Sequence, residues 1–130
     1  MLLRKEFTFD AAHNLVRYHG KCEALHGHTY RLAVVLEGTP DAEGMILDFC
    51  ELSAAVRERV VSRLDHTYIN DIIPQPTAEN ISQWIWDQIE APLSRPNCRL
   101  HEVWLWETAT SCVVLSASDR TGRMGGEGRP

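Results

Sequence analysis

Cys22-Glu23-Ala24-Leu25-His26-Gly27-His28 leads directly into an alternating apolar run, Tyr30, Leu32, Val34 and Leu36. Read as a strand, that run sends side chains two apart to the same face, so His26 and His28 project together from its entrance. Gly27 between them has no side chain, which lets the chain approach closely whatever the two rings bind. A His-x-His pair on a strand needs one or two further ligands to hold Zn2+. His13, at the end of an earlier alternating run, is the third, and Cys22 is either a fourth ligand or a thiolate beside the metal. Three histidines plus a cysteine would close a tetrahedral, structural site, whereas three histidines alone leave a position open for chemistry. Any one of these histidines taken singly reads better as an ordinary hydrogen-bonded residue near the core. The pattern of three carries the metal reading.

Working outward, Leu3, Lys5, Phe7, Phe9, Ala11 and His13 share one phase of residues 2 to 13, with Arg4, Glu6, Thr8 and Asp10 on the other. That alternation predicts a half-buried strand that delivers His13 at its end. Residues 14 to 25 have no periodicity and predict a loop. Arg17, His19 and Lys21 make it locally basic, either as solvated surface or as a holder for an anionic substrate group near the metal. The second strand is expected from about residue 28 to 37, ended by the turn-forming stretch from Gly38 to Gly44.

Asp48, three residues before Glu51, opens a helix by a capping-box pattern and is read as structural. Phe49, Leu52, Val56, Val60 and Leu64 give that helix one apolar face. Asp65 and His66 follow at once. They are either a carboxylate-oriented imidazole for proton transfer or a histidine at the helix C-terminus interacting with its dipole. Thr77 caps a second helix to about residue 91, with Ile81, Trp84, Ile85 and Ile89 expected inside and Trp86 directed elsewhere, toward a subunit contact.

Two more strands, about 100 to 107 and 111 to 118, close the domain. Glu107 ends the apolar phase of Val103 and Leu105. It is either a paired strand-end carboxylate or a bidentate acceptor for a heterocycle with adjacent N–H donors. The order strand, strand, helix, helix, strand, strand predicts an α+β domain: a four-stranded antiparallel sheet with both helices on one face and the other face left to associate with copies of itself. One domain, residues 1 to 118, is expected. Residues 119 to 130 hold four of the eight glycines and no apolar pattern, and predict a disordered tail.

The 130 residues are 44% apolar and 24% charged, ordinary for a globular protein, and the formal charge of −5 argues against nucleic acid as a partner. The N-terminal stretch turns charged before a signal peptide could form and no stretch approaches a membrane span, so a cytoplasmic protein without membrane contact is expected. The four cysteines form no Cys-x-x-Cys pair and are expected as free thiols, Cys50 and Cys98 structural or incidental and Cys112 packed as a small hydrophobe.

The residues also carry a resemblance. Phe7-Thr8-Phe9-Asp10-Ala11-Ala12-His13, Cys22-x-x-x-His26-Gly27-His28, Asp48-Phe49, Leu64-Asp65-His66-x-x-Ile69-Asn70-Asp71, Pro76-Thr77-Ala78-Glu79-Asn80 and Glu107-Thr108 resemble, in order, the 6-pyruvoyltetrahydropterin synthase family. The Cys-x-x-x-His-Gly-His spacing is similar to the bacterial 6-carboxytetrahydropterin synthase branch of 7-deazaguanine (queuosine) biosynthesis. The resemblance implies a tunnelling fold, with three subunits joining sheets into a barrel, two trimers stacking into a homohexamer, and active sites at subunit interfaces. It implies Zn2+ on His13, His26 and His28, a catalytic thiol at Cys22, and Asp65 with His66 completing the proton-transfer set. Glu107 would anchor the pterin ring with Thr108 beside it. The implied substrate is 7,8-dihydroneopterin triphosphate, for which Arg17 and Lys21 offer phosphate contacts. The implied products are 6-carboxy-5,6,7,8-tetrahydropterin, acetaldehyde and triphosphate. Triphosphate elimination to 6-pyruvoyltetrahydropterin, side-chain cleavage to a hydroxymethylpterin, and a non-catalytic zinc module are the rival readings.

Overall fold

Alternation of apolar and polar residues makes the two long strands. Leu2–His13 forms β1 and His26–Gly38 forms β2, paired antiparallel with His13 opposite His26 and Ala11 opposite His28. Phe7, Phe9 and Ala11 from β1 and Tyr30, Leu32, Val34 and Leu36 from β2 lie on the same side of the sheet and are buried. Each Phe, Leu and Val among them stabilises the fold by about 1.5–3 kcal/mol through its removal from water. The structure, a computed structural model, describes residues 1–16 and 24–125, the last four by backbone alone.

Beyond β2, the side chain of Asp48 accepts from Cys50 N at 2.7 Å and starts α1, Phe49–Val56, as the capping pattern predicts. The helix continues through a π-helical turn, Arg57–Val61, into α2, Ser62–Leu64. Leu52, Val56, Val60 and Leu64 are fully buried, whereas Phe49 is half exposed because it stands in the first turn, outside the packed stripe. Thr77 accepts from Asn80 N at 3.1 Å and caps α3, Ala78–Ile89. β4, Cys98–Thr108, pairs antiparallel with β2, and β5, Ser111–Ser116, pairs antiparallel with β4.

The sheet has five strands rather than the four predicted, in the order β3-β1-β2-β4-β5. The extra one, β3, is the two-residue strand Thr67–Tyr68, which runs parallel to β1 with Thr67 opposite Ala11 and Tyr68 opposite Ala12. Its shortness, without any periodicity, hid it in the stretch after Leu64. A short 3-10 turn, Ile69–Asp71, leads away from it.

Three further expectations are corrected. Trp86 is buried and Trp84 is the partly exposed one, the reverse of the predicted stripe. Cys112 is exposed, because it shares the strand phase of Trp106, opposite it on β4, and that phase faces away from the helices. The tail read as structureless from residue 119 begins as a helix, α4, Ala117–Gly125, held to α3 where the Arg120 guanidinium bonds Gln83 and Asp87. No helix is long and apolar enough to cross a membrane among the described residues.

Candidate functional site

The core-facing phase of β1 and β2 ends in histidines instead of apolar residues. His13, His26 and His28 place ring centroids 4.6, 5.1 and 4.7 Å apart for the pairs 13–26, 13–28 and 26–28, and one nitrogen from each lies within 4.8 Å of the others. Antiparallel register makes this convergence, since His13 stands directly opposite His26 and diagonal to His28. Tyr30 and Phe9, stacked at 5.0 Å, floor the cluster, and the Tyr30 hydroxyl approaches His13 Nδ1 at 3.3 Å. Burial pushes the Tyr30 phenol well above its usual range, so it stays a neutral floor.

The tautomers follow from the hydrogen bonds. His13 Nδ1 lies 2.7 Å from the carbonyl of Pro76 and His26 Nδ1 lies 2.7 Å from the carbonyl of Ala24. A carbonyl only accepts, so both Nδ1 atoms carry protons and both Nε2 atoms of the neutral rings present lone pairs. Those two Nε2 atoms face each other at 3.1 Å, and His28 Nε2 is buried with no hydrogen-bond partner. Burial holds His28 below the ordinary imidazole range, aided by His13 and His26 and opposed by Glu107. Lone pairs that converge in a buried place repel unless a proton or a cation stands between them. Three converging imidazoles, two of them oriented by backbone carbonyls, are the donor set for a divalent transition metal, so the residues fit such an ion.

Glu107 reaches the same point from β4, its Oε2 3.7 Å from His13 Nε2, too long for a hydrogen bond. On its other side the carboxylate opens into a groove with Thr77, Glu79, Ser111 and Cys112. Thr108 is exposed at the end of β4 and its hydroxyl accepts from Thr110 N at 3.4 Å. Cys22, Arg17 and Lys21, expected around the metal, lie outside the described residues.

Asp65 and His66 form a pair of their own, with His66 Nδ1 3.0 Å from Asp65 Oδ2. Asp10 clamps them through its backbone: its N–H donates to Asp65 Oδ1 at 2.9 Å, and its carbonyl accepts from His66 N at 2.6 Å. The bond from Asp10 N is the main reason the Asp65 carboxyl is held below the usual carboxylate range. His66 takes φ of +60°, a left-handed backbone that costs a side-chain-bearing residue about 1–2 kcal/mol.

Within one chain the two clusters form separate groups, and His28 and His66 share only the lining of an open groove. Asp10 and Thr29, whose side chains bond at 2.5 Å, point away from the core phase that carries the three histidines, and the carboxylates of Asp10 and Asp65 gather with His66 on that outer side. There His66 lines the groove with Asp10, Gly27, His28, Thr29 and Tyr68. Gly27 does not take a positive φ, and a Cβ there would meet only Ala11 O at an ordinary 3.6 Å, so the close approach predicted for it is not required within the chain. The carbonyls of Pro76 and Ala24 and the clamp by Asp10 were missed, since a backbone group leaves no trace in residue identity.

The chain matches the family model described as 6-pyruvoyl tetrahydropterin synthase over residues 2–118. A 6-carboxy-5,6,7,8-tetrahydropterin synthase from Synechocystis sp. is 40% identical over 119 residues, covering 86% of this chain and 90% of that protein. A dihydroneopterin monophosphate aldolase from Pyrococcus furiosus is 42% identical over 100 residues, covering 77% and 83%. In three dimensions the 6-pyruvoyl tetrahydropterin synthase of Caenorhabditis elegans has the same fold, with a TM-score of 0.80 at 24% identity over 90% of this chain and 95% of that one.

Proposed function

The chain belongs to the 6-pyruvoyl tetrahydropterin synthase family, and from that premise we propose that it is a zinc-dependent enzyme that converts 7,8-dihydroneopterin triphosphate and water to 6-carboxy-5,6,7,8-tetrahydropterin, acetaldehyde and triphosphate. The observation that carries the reading is the pair of Nε2 lone pairs 3.1 Å apart, joined by the unpartnered Nε2 of His28, at the end of a sheet. The product is supported by the name of the Synechocystis relative.

His13, His26 and His28 would hold the metal, which when bound supplies Lewis-acid polarisation of the substrate's hydroxylated side chain. Glu107 accepts hydrogen bonds from the amino group and ring N–H of the pterin, fixing the ring beside the histidines. The Cys22 thiolate takes a proton from the side-chain carbon next to the ring. His66, oriented by Asp65, holds the second proton-transfer position. Arg17 and Lys21 contact the triphosphate, and Thr108 supports the ring-binding end of β4. The enzyme works as a homohexamer in the cytoplasm, in 7-deazaguanine biosynthesis.

A second reading, cleavage of the side chain to a hydroxymethylpterin, is favoured by the Pyrococcus aldolase relative and by Glu23, a carboxylate next to Cys22 in the chain. Turnover of dihydroneopterin triphosphate by zinc-loaded protein, with products weighed by mass spectrometry, separates the two. Carboxytetrahydropterin with acetaldehyde is expected; hydroxymethylpterin would give the reaction to the second reading. Cys22→Ala is expected to keep its zinc and to lose turnover by a factor of about 10²–10⁴, the usual loss with a positioned proton-transfer group. Unchanged turnover in that variant would remove Cys22 from the mechanism.

A further inference from the structure

β1 is fastened along its outer edge by the turn that carries Asp65 and His66, rung by rung. Asp10 binds Asp65 and His66 through its N–H and carbonyl; Ala11 and Ala12 pair with Thr67 and Tyr68. Beyond Tyr68 the chain turns away into the 3-10 turn and the backbone pairing stops. The next rung is made by a side chain. Asn70 Oδ1 accepts from Asn14 N at 3.0 Å, and Asn70 Nδ2 donates to Asn14 O at 2.9 Å. One amide thus satisfies both backbone groups of Asn14, as a neighbouring strand would. The Tyr68 hydroxyl donates to Asn14 Oδ1, and Val16 N donates to Gln75 Oε1 at 2.8 Å.

Asn14 directly follows His13, whose Nδ1 proton goes to Pro76 O. Without the Asn70 rung, the end of β1 would keep its last pair with β2 at His13, the Tyr68 bond to the Asn14 side chain and the Val16–Gln75 bond, none of which holds the backbone groups of Asn14 itself. His13 would then swing on a frayed strand end, and its Nε2 would leave the fixed 3.1 Å separation from His26. We infer that Asn70 is a positioning residue for the metal site: its side-chain amide replaces a missing rung of the β1–β3 pairing and thereby aims His13 at His26 and His28. This rests on the metal reading proposed above. It also places the Asp65–His66 turn and the His13 ligand on one rigid frame, so both clusters keep their spacing along β1.

The test is metal binding by Asn70→Ala, with Val56→Ala as a control: Val56 is fully buried in α1, and its truncation lowers stability while every hydrogen bond of the β1 end and the turn is kept. Zinc affinity is measured by chelator competition, and cobalt(II) is substituted so that its visible absorption reports ligand geometry. Asn70→Ala is expected to weaken zinc about tenfold, the lower end of the range for residues that orient metal ligands, and to alter the cobalt spectrum. Val56→Ala is expected to keep both at wild-type values. Equal zinc affinity and an unchanged cobalt spectrum in Asn70→Ala would overturn the inference, as would equal losses in the two variants. Asn70→Asp, which keeps the acceptor for Asn14 N and loses only the donor, carries the same test if the alanine variant does not fold. Wild-type protein that takes up neither metal would defeat the metal reading and the inference together; wild-type uptake with undiminished uptake in the Asn70 variants would defeat the inference alone.

Discussion

His28 is a partly buried base whose Nε2 is shut off from water, and that has a consequence for stability that zinc would hide. Above its ordinary pKa of about 6.5, both the folded and the unfolded chain carry a neutral imidazole, and nothing is at stake. As pH falls below that value the unfolded chain takes up the proton first, because burial disfavours the charged ring in the folded state. Stability therefore declines until folded His28 is protonated as well. Asp65 has the opposite sign. Its carboxyl is held low by the Asp10 N–H, so its contribution is present above the ordinary carboxylate pKa of about 4 and is lost only at more acid pH. The two windows open at different pH, that of His28 at about 6.5 and that of Asp65 at about 4. Metal-free protein is expected to lose Tm between pH 7 and pH 5, and His28→Gln to lose less over the same interval. Parallel Tm curves for the two proteins would show that His28 is not the group responsible.

At the scale of the element, α3 shows how a helix can be right in place and wrong in rotation. Trp86 is 1% exposed while Trp84 is only partly covered, with the Arg63 guanidinium 5.3 Å over its ring. Trp86→Ala is expected to cost about 3–5 kcal/mol as a large core truncation, and Trp84→Ala about 1 kcal/mol, both read by urea unfolding. Equal losses would contradict this packing. The rotation was hidden by two residues. Ser82 looks polar yet is fully buried, its hydroxyl returned to Ala78 O at 2.8 Å, so the buried stripe is wider on that side than the apolar residues alone suggest. Arg120 covers the Trp86 ring at 6.0 Å from α4, in a segment whose glycines read as a tail. By contrast, β1, β2, the Asp48 and Thr77 caps and the three histidines were legible, because alternation, cap chemistry and spacing are local properties of the chain. β3 and the Asn14–Asn70 rung were not, since each depends on residues more than 50 positions apart meeting.

The whole molecule poses the question of how the two clusters meet. The histidine triad ends the core side of β1 and β2, while Asp65 and His66 gather with Asp10 on the outer side, where Trp104 and Trp106 stack beneath Arg4 and Arg31 without a covering layer among the described residues. β5 is the last strand of the sheet on that side, and its outer edge has no partner strand among the described residues. An uncovered face and a free edge are what a further copy of the chain would complete. If a further copy completes the site, the triad of one subunit works with the dyad of another. Mixed assemblies of His28→Ala and His66→Ala subunits test this directly. Each variant alone is expected to be inactive. Refolded together at equal ratio, they are expected to regain about a quarter of wild-type turnover, the fraction of sites that by random pairing receive an intact triad and an intact dyad from different subunits. A site completed within one chain predicts no recovery at any ratio, because every chain in the mixture would carry one of the two lesions.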